Sequence, residues 1–406
     1  MPMGETLPTP RTLRTVPLHL EDMAYQGAAI GREDGRIVFA EYGIPGEDVL
    51  VAIEKDRKDH SLGRVIEVRT ASPERVDPPC PYFGTCGGCQ WQHIRYEYQL
   101  VLKQAVVHQQ LRRIGKFDDP PVLPTVPSPQ PYGYRNHARF SVDGKGNLGY
   151  ISRPGHGYRF LRIDRCLIMH PAINEVLTRL QERAHVKHQL MVRYGVNTGE
   201  LLVHPDVSAI DPTIPSGQPA YHESLLGHRF RISASSFFQT NTAVAERLIQ
   251  LVLERIAPTG NEVVVDAYAG VGTFAAFLAP RVARVIGIEE SPSAVSDAQV
   301  NLDPFDNVEY VQAKVEHVLG KLAVRPDVVI LDPPRVGCAP EALTGVLMLR
   351  PPRLIYVSCE PATLARDLRK LVDGGYRLLD VTPLDMFPQT YHIESVATLE
   401  LAEGTP

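Results

Sequence analysis

The feature that most narrows the fold is a regular alternation of short apolar runs and helical segments from about residue 236 onward. Val263–Val265, Val285–Ile288, Val328–Leu331 and Leu354–Val357 are such runs, separated by stretches with helical spacing. Runs with no polar face are buried on both sides, so the pattern predicts a parallel sheet covered by helices on both faces. Asn241 is placed to cap a helix reaching Leu253. The first run leads into Asp266-Ala-Tyr-Ala-Gly270-Val-Gly272-Thr-Phe. Glycines at a strand's carboxyl end allow a tight turn and bring backbone close to a ligand. A bare Gly-X-Gly is weak evidence, and the strand–turn–helix context gives it weight. Glu289 ends the following run, where a carboxylate can accept hydrogen bonds from both hydroxyls of a ribose. These features suit NAD and S-adenosylmethionine equally.

Upstream the pattern differs. Short β-branched runs with Gly/Pro punctuation, among them Arg36–Phe39, Val49–Ile53 and Gly63–Val68, predict a small antiparallel barrel over 12–72. A central, β-rich domain is expected over 73–235, with a helix at 94–115 free to pack on the last domain, 236–406. Pro-rich stretches at 72–79 and 120–131 read as a boundary and a linker. At 406 residues the chain has room for these three parts. No apolar run approaches the ~20 residues of a membrane span, and the opening residues lack the apolar core of a secretory signal. The expected location is therefore cytoplasmic, with no membrane contact and no obligate protein partner. Residues 80–170 carry 12 Lys+Arg against 5 Asp+Glu, whereas 241–406 carry 14 against 22. A basic middle between acidic flanks suits a localised polyanion contact, and equally a chance clustering on a solvated face.

Two further strand ends carry chemistry. Asp332-Pro-Pro-Arg335 follows Val328–Leu331, at the edge where open α/β sheets bind ligands. An acid followed by two prolines is common there in methyltransferases and favours S-adenosylmethionine. The strand Leu354–Val357 is followed by Ser358, Cys359 and Glu360-Pro361, so a thiol stands at the same edge just before a helix, whose positive end is expected to favour a thiolate. Glu394 supplies a carboxylate on entry to the final strand. Cys359 and Glu394 together fit one chemical problem. C5 of uracil is too poor a nucleophile to take a methyl group from a sulfonium. Addition of a thiolate to C6 makes an enolate with electron density on C5, and a base must then remove the C5 proton before the thiol leaves.

Cys80, Cys86 and Cys89 put three thiols within ten residues, with Gly87-Gly88 between the last two and Cys166 farther along. Four thiolates suit an iron–sulfur cluster or structural zinc. A tight triplet plus one distant cysteine favours a 4Fe-4S cluster over zinc, which more often sits between two short CxxC pairs. Unliganded core thiols are the third reading.

With these residues assembled, the chain closely resembles the RNA uracil-5-methyltransferases that act on tRNA and 23S rRNA, over nearly its whole length. The resemblance implies a class I Rossmann-like methyltransferase domain, and an N-terminal OB-like barrel of the TRAM type that binds RNA, with Val38-Phe39 and Ile44-Pro-Gly-Glu47 matching its phrases. It implies a 4Fe-4S cluster on Cys80, Cys86, Cys89 and Cys166. Phe238-Gln239-Thr-Asn241 matches the segment whose Gln contacts the methyl donor. By resemblance Gln239, Tyr268, Gly270, Gly272, Glu289 and Asp332 bind S-adenosylmethionine, Cys359 is the nucleophile and Glu394 the general base. The chain departs from the pattern at Tyr268-Ala269 in place of Phe-Cys, at Thr273 in place of Asn, at Lys314, and at Glu360 in place of Asn. The separate barrel and cysteine cluster favour 23S rRNA as substrate, with the tRNA T-loop as alternative. An amino-group methyltransferase acting on a purine is the remaining reading.

Overall fold

The computed structural model describes residues 13–152 and 159–402. Residue 12, the expected start of the barrel, lies outside the described residues. The chain divides into two compact units: one takes in the residues up to Pro79 together with Gln90–Arg95, the other Cys80–Cys89 and everything from Tyr96 on.

The first unit is a closed barrel of five strands, β1 (Thr15–Met23), β2 (Ala29–Glu33), β3 (Arg36–Glu41), β4 (Asp48–Asp56) and β5 (His60–Thr70), joined in the order β1-β2-β3-β5-β4. Strict alternation along β1 sends Val16, Leu18 and Leu20 inward, where they meet Val38, Ala40, Val49 and Val51. The expectation of an antiparallel barrel needs one correction, since β3 and β5 pair in parallel. A closed ring with an odd number of strands cannot alternate direction throughout, so one parallel pair is unavoidable. Glu47 is fully buried; its carboxylate accepts from the Ile44 amide at 2.9 Å and pairs with Arg75 at 2.6 and 2.7 Å. Trp91 is also fully buried and donates its indole N–H to the Gly27 carbonyl at 3.1 Å.

In the second unit, α1 (Tyr96–Arg113) is followed by β6 (His137–Val142), β7 (Leu148–Ile151), β8 (Phe160–Arg162), α2 (Pro171–Leu180), β9 (Gln189–Tyr194) and β10 (Leu201–His204). The five strands form one sheet, β10-β9-β6-β7-β8. Ile173, Val176, Leu177 and Leu180 of α2 bury one of its faces against Ala138, Phe140, Leu148 and Leu190. A hairpin of β11 (Ala220–Leu225) and β12 (His228–Ser233) leads to α3 (Thr242–Ile256), capped as expected by the Asn241 side chain on the Val244 amide.

The remaining elements are β13 (Val263–Ala267), α4 (Thr273–Leu278), β14 (Arg284–Glu289), α5 (Pro292–Asn301), β15 (Val308–Gln312), α6 (Val315–Val318), β16 (Val328–Leu331), α7 (Pro340–Leu349), β17 (Arg353–Ser358), α8 (Pro361–Asp373), β18 (Tyr376–Leu384) and β19 (Glu394–Leu401). Seven strands make one sheet in the order β15-β14-β13-β16-β17-β19-β18. The five strands from β15 to β17 run parallel, whereas β19 pairs antiparallel with both β17 and β18. The expected all-parallel sheet is thus mixed at one edge. The hairpin-like return of β18 into β19 needs no crossover helix, which permits the reversal. The 120–131 segment is no free linker. Leu123 and Val126 donate to the Val381 and Pro383 carbonyls at 2.8 Å, covering the outer edge of β18. Among the described residues no helix is long and apolar enough to cross a membrane.

Candidate active site

β13 sits between β14 and β16, so the sheet order reverses there, and the crevice outside the strands' carboxyl ends is open to a ligand. A cavity of about 600 Å3 occupies this place. Gln239, Tyr268, Gly270, Glu289, Asp332, Cys359 and Glu394 all line it. Gly272 does not. It forms the left-handed cap of α4 at φ 87°, and a Cβ there would stand 2.8 Å from Leu302, so its part is to let the helix start close to its neighbour.

The turn after β13 is held from several sides. Glu289 accepts from the Gly270 amide at 2.9 Å and the Ser291 amide at 2.8 Å, leaving lone pairs for a ligand's hydroxyls. The Tyr310 hydroxyl donates to the Ala269 or Gly270 carbonyl, each at 3.2 Å. Gly287 leaves room for that ring, since a Cβ would come within 2.3 Å of it. Tyr268 adopts a left-handed φ of 66°, and its hydroxyl faces the Cys338 thiol.

At the other end, Cys359 ends the strand-to-helix turn from β17 to α8, and Glu394 opens β19. Burial pushes Asp332 up to about 7. Burial first, and Asp332 next, holds Glu394 well above the usual carboxylate range, with Arg335 opposing. Burial, then the carboxylates of Glu394 and Asp332, pushes the Cys359 thiol up to about 12. The expected thiolate-favouring environment is therefore corrected. Cys359 precedes the α8 cap residue, Glu360, and burial, with two neighbouring acids, favours its neutral form. A cation in the cavity would lower the cost of ionising all three groups.

Several participants carry no signal in the sequence. Phe237 lines the cavity and is 71% exposed, an apolar ring open to solvent. Lys103 of α1 is completely buried; its ammonium donates to Asp385 at 2.5 Å and to the Phe387 and His392 carbonyls at 3.2 and 2.9 Å. The Gln389 amide donates to Gln99, also on α1, at 3.1 Å. These bonds fix the loop that delivers Glu394.

Cys80, Cys86, Cys89 and Cys166 are half-buried cysteines of the second unit that form no disulfide. The Tyr82 hydroxyl joins the two stretches that carry them, donating to Asp164 at 3.3 Å and accepting from its amide at 3.0 Å. The Gly88 amide points at the Cys86 sulfur at 3.4 Å. Among the described residues, no three His, Cys, Asp or Glu side chains are grouped to hold a single metal ion.

The family described as tRNA (Uracil-5-)-methyltransferase matches residues 227–323 and 319–402. An uncharacterized RNA methyltransferase of Halalkalibacterium halodurans is 37% identical, the match covering 95% of this chain and 97% of that protein. A second, from Gloeobacter violaceus, is 36% identical over 95% of this chain and 96% of its own. Among solved structures, the Pyrococcus abyssi tRNA (uracil-54, C5)-methyltransferase in complex with S-adenosyl-L-homocysteine superposes with a TM-score of 0.73. It is 27% identical, and the match covers 95% of this chain and all of that one.

Proposed function

The chain belongs to the RNA uracil-5-methyltransferase family, an S-adenosylmethionine-dependent group, and on that premise we propose that it methylates C5 of a uridine through a covalent bond between Cys359 and C6. One observation carries the reading: a thiol and a buried carboxyl, 35 positions apart in the chain, line the same end of one cavity whose other end has the glycine turn and ribose-type acid of a nucleotide site. The acidic lining suits a sulfonium, whose positive charge favours the ionised forms of Cys359 and Glu394, their protons passing to solvent. The thiolate adds to C6, and the electrons pass to C5 and the O4 enolate. C5 takes the methyl group, S-adenosylhomocysteine departs, Glu394 removes the C5 proton, and the Cys359–C6 bond breaks. Gln239, Tyr268, Gly270, Glu289 and Asp332 hold the donor in this scheme, and Phe237 offers a face on which the extruded base stacks.

RNA carrying 5-fluorouridine at the target tests it. Fluorine cannot leave as a proton, so a covalent RNA adduct accumulates with the wild type and is absent from Cys359→Ala. Glu394→Gln holds an adduct on ordinary RNA and turns over slowly. Adduct formation by Cys359→Ala, or full turnover by Glu394→Gln, would refute the assignment.

The proposed substrate is 23S rRNA. The second reading, tRNA, is favoured by the likeness of nearly the whole chain, barrel region included, to an enzyme named for uracil-54 of tRNA. Methylation assays on transcripts of both RNAs separate them. The scheme places RNA binding on the barrel over 12–72 and the basic middle of the chain, and catalysis in 236–406, in the cytoplasm. We further propose that Cys80, Cys86, Cys89 and Cys166 hold a 4Fe-4S cluster within 73–235. The all-sulfur donor set, the Tyr82–Asp164 clasp and the amide directed at Cys86 support it. The cluster would supply a rigid cross-link between distant segments.

A further inference from the structure

We propose that Arg335 is the phosphate contact for the target nucleotide, a guanidinium carried at the cavity mouth by a pinned loop to hold the backbone phosphate of the uridine presented to Cys359. The inference rests on the uridine reading above and names which part of the RNA the site grips.

Charge bookkeeping around the cavity raises the question. Glu289, Glu290, Glu316, Asp332 and Glu394 line it against two cations, Lys314 and Arg335. This lining welcomes a sulfonium and repels a phosphodiester, yet a uridine within RNA brings a phosphate on each side. Lys314 belongs to the donor end, since the Ala313 amide beside it donates to the Glu289 carbonyl at 3.0 Å. Arg335 belongs to the reacting end, three residues from Asp332, and its charge acts on Cys359, Glu394 and His392. It is exposed, and among the described residues its guanidinium makes no hydrogen bond or ion pair. By contrast, Arg366 close by is committed to Asp367 and the Val336 carbonyl.

The loop that carries Arg335 is built not to move. The Thr363 hydroxyl donates to the Arg335 carbonyl at 3.1 Å, and the Cys338 amide donates to the buried Asp367 at 2.9 Å. Gly337, at φ 77°, lies so close to α8 that a Cβ would meet Arg366 at 2.5 Å and Asp367 at 2.6 Å. Val336 is 72% exposed, so the loop's tip faces solvent. A fixed backbone with a free, forked cation at its tip suits bidentate recognition of phosphate oxygens.

The test uses the full-length enzyme and an RNA hairpin, from 23S rRNA or a tRNA T-arm, that the wild type methylates. Neutral methylphosphonate replaces each phosphate flanking the target uridine in turn. Arg335→Gln should raise KM for the plain hairpin about tenfold and cut the salt dependence of binding by just under one phosphate's worth, with S-adenosylmethionine affinity unchanged. Methylphosphonate at one flank should cost the wild type the same factor and Arg335→Gln nothing. Arg335→Lys should recover the salt dependence but only part of the affinity. Equal sensitivity of wild type and Arg335→Gln to both methylphosphonates, or loss of donor binding in the variant, would overturn the assignment. A wild type that makes no 5-methyluridine on either RNA would instead overturn the uridine reading, and this inference with it.

Discussion

Cys359, Asp332 and Glu394 share a cavity wall, and each raises the cost of ionising another. The arrangement keeps the thiol quiet until a cationic donor enters, which limits side reactions of an otherwise half-exposed cysteine. It also has a consequence for stability. Asp332 is pushed up to about 7 in the folded chain, above its unfolded value, so between about pH 4 and pH 7 the folded state binds more protons than the unfolded one. Its contribution is therefore fully present at acid pH and lost as pH rises through 7. Asp332→Asn removes this dependence. Without ligand, the variant should match the wild type at about pH 4 and exceed it by on the order of 1–3 kcal/mol at about pH 8, read from denaturant unfolding. A variant no more stable than wild type at the higher pH would show that Asp332 is ionised without penalty.

The elements around the site differ in how far they could be read. β13, β14, β16 and β17 were legible because a strand buried on both faces must be apolar throughout, and Gly270 and Glu289 because their roles follow from position at strand ends. The antiparallel β19 was not, since an interior strand carries no mark of its direction. Nor was the edge-covering role of 120–131, because prolines read as punctuation while the residues between them do the pairing. Lys103 is the clearest gap: a lysine on a helix reads as solvated, and its partner Asp385 lies 282 positions away. α1 packs on α8, and through Lys103 and Gln99 it sets the loop before β19. Lys103→Ala strands a buried carboxylate and should cost about 3–5 kcal/mol of stability. Lys103→Met with Asp385→Leu should regain most of it. The double variant still lacks the bonds to the Phe387 and His392 carbonyls, so kcat should fall about tenfold or more with donor affinity kept, as positioning losses do. Full kcat in the double variant would make α1 a purely structural support.

Across the whole molecule, the chain changes unit around its cysteines: it leaves the barrel unit at Pro79, spends Cys80–Cys89 in the second unit, returns for Gln90–Arg95 and leaves again at Tyr96. Trp91 and Ile94 are buried on the return. A ten-residue excursion with both ends anchored elsewhere has little core of its own. Within the second unit Tyr82 and Cys166 pack at the margin of the same apolar core, and the Tyr82–Asp164 hydrogen bonds between the two stretches are exposed and add little in water. A cluster bonding Cys89 to Cys166 would close a long loop and remove its entropy from the unfolded chain, an effect on the order of 4 kcal/mol by analogy with a disulfide of that span. Anaerobically purified protein should therefore contain iron and acid-labile sulfide in equal amounts. Cys166→Ser should lose both and melt at a lower temperature. Wild-type protein that holds zinc in place of iron, or Cys166→Ser with unchanged melting, would leave the excursion held by some other contact and remove the cross-link from the scheme.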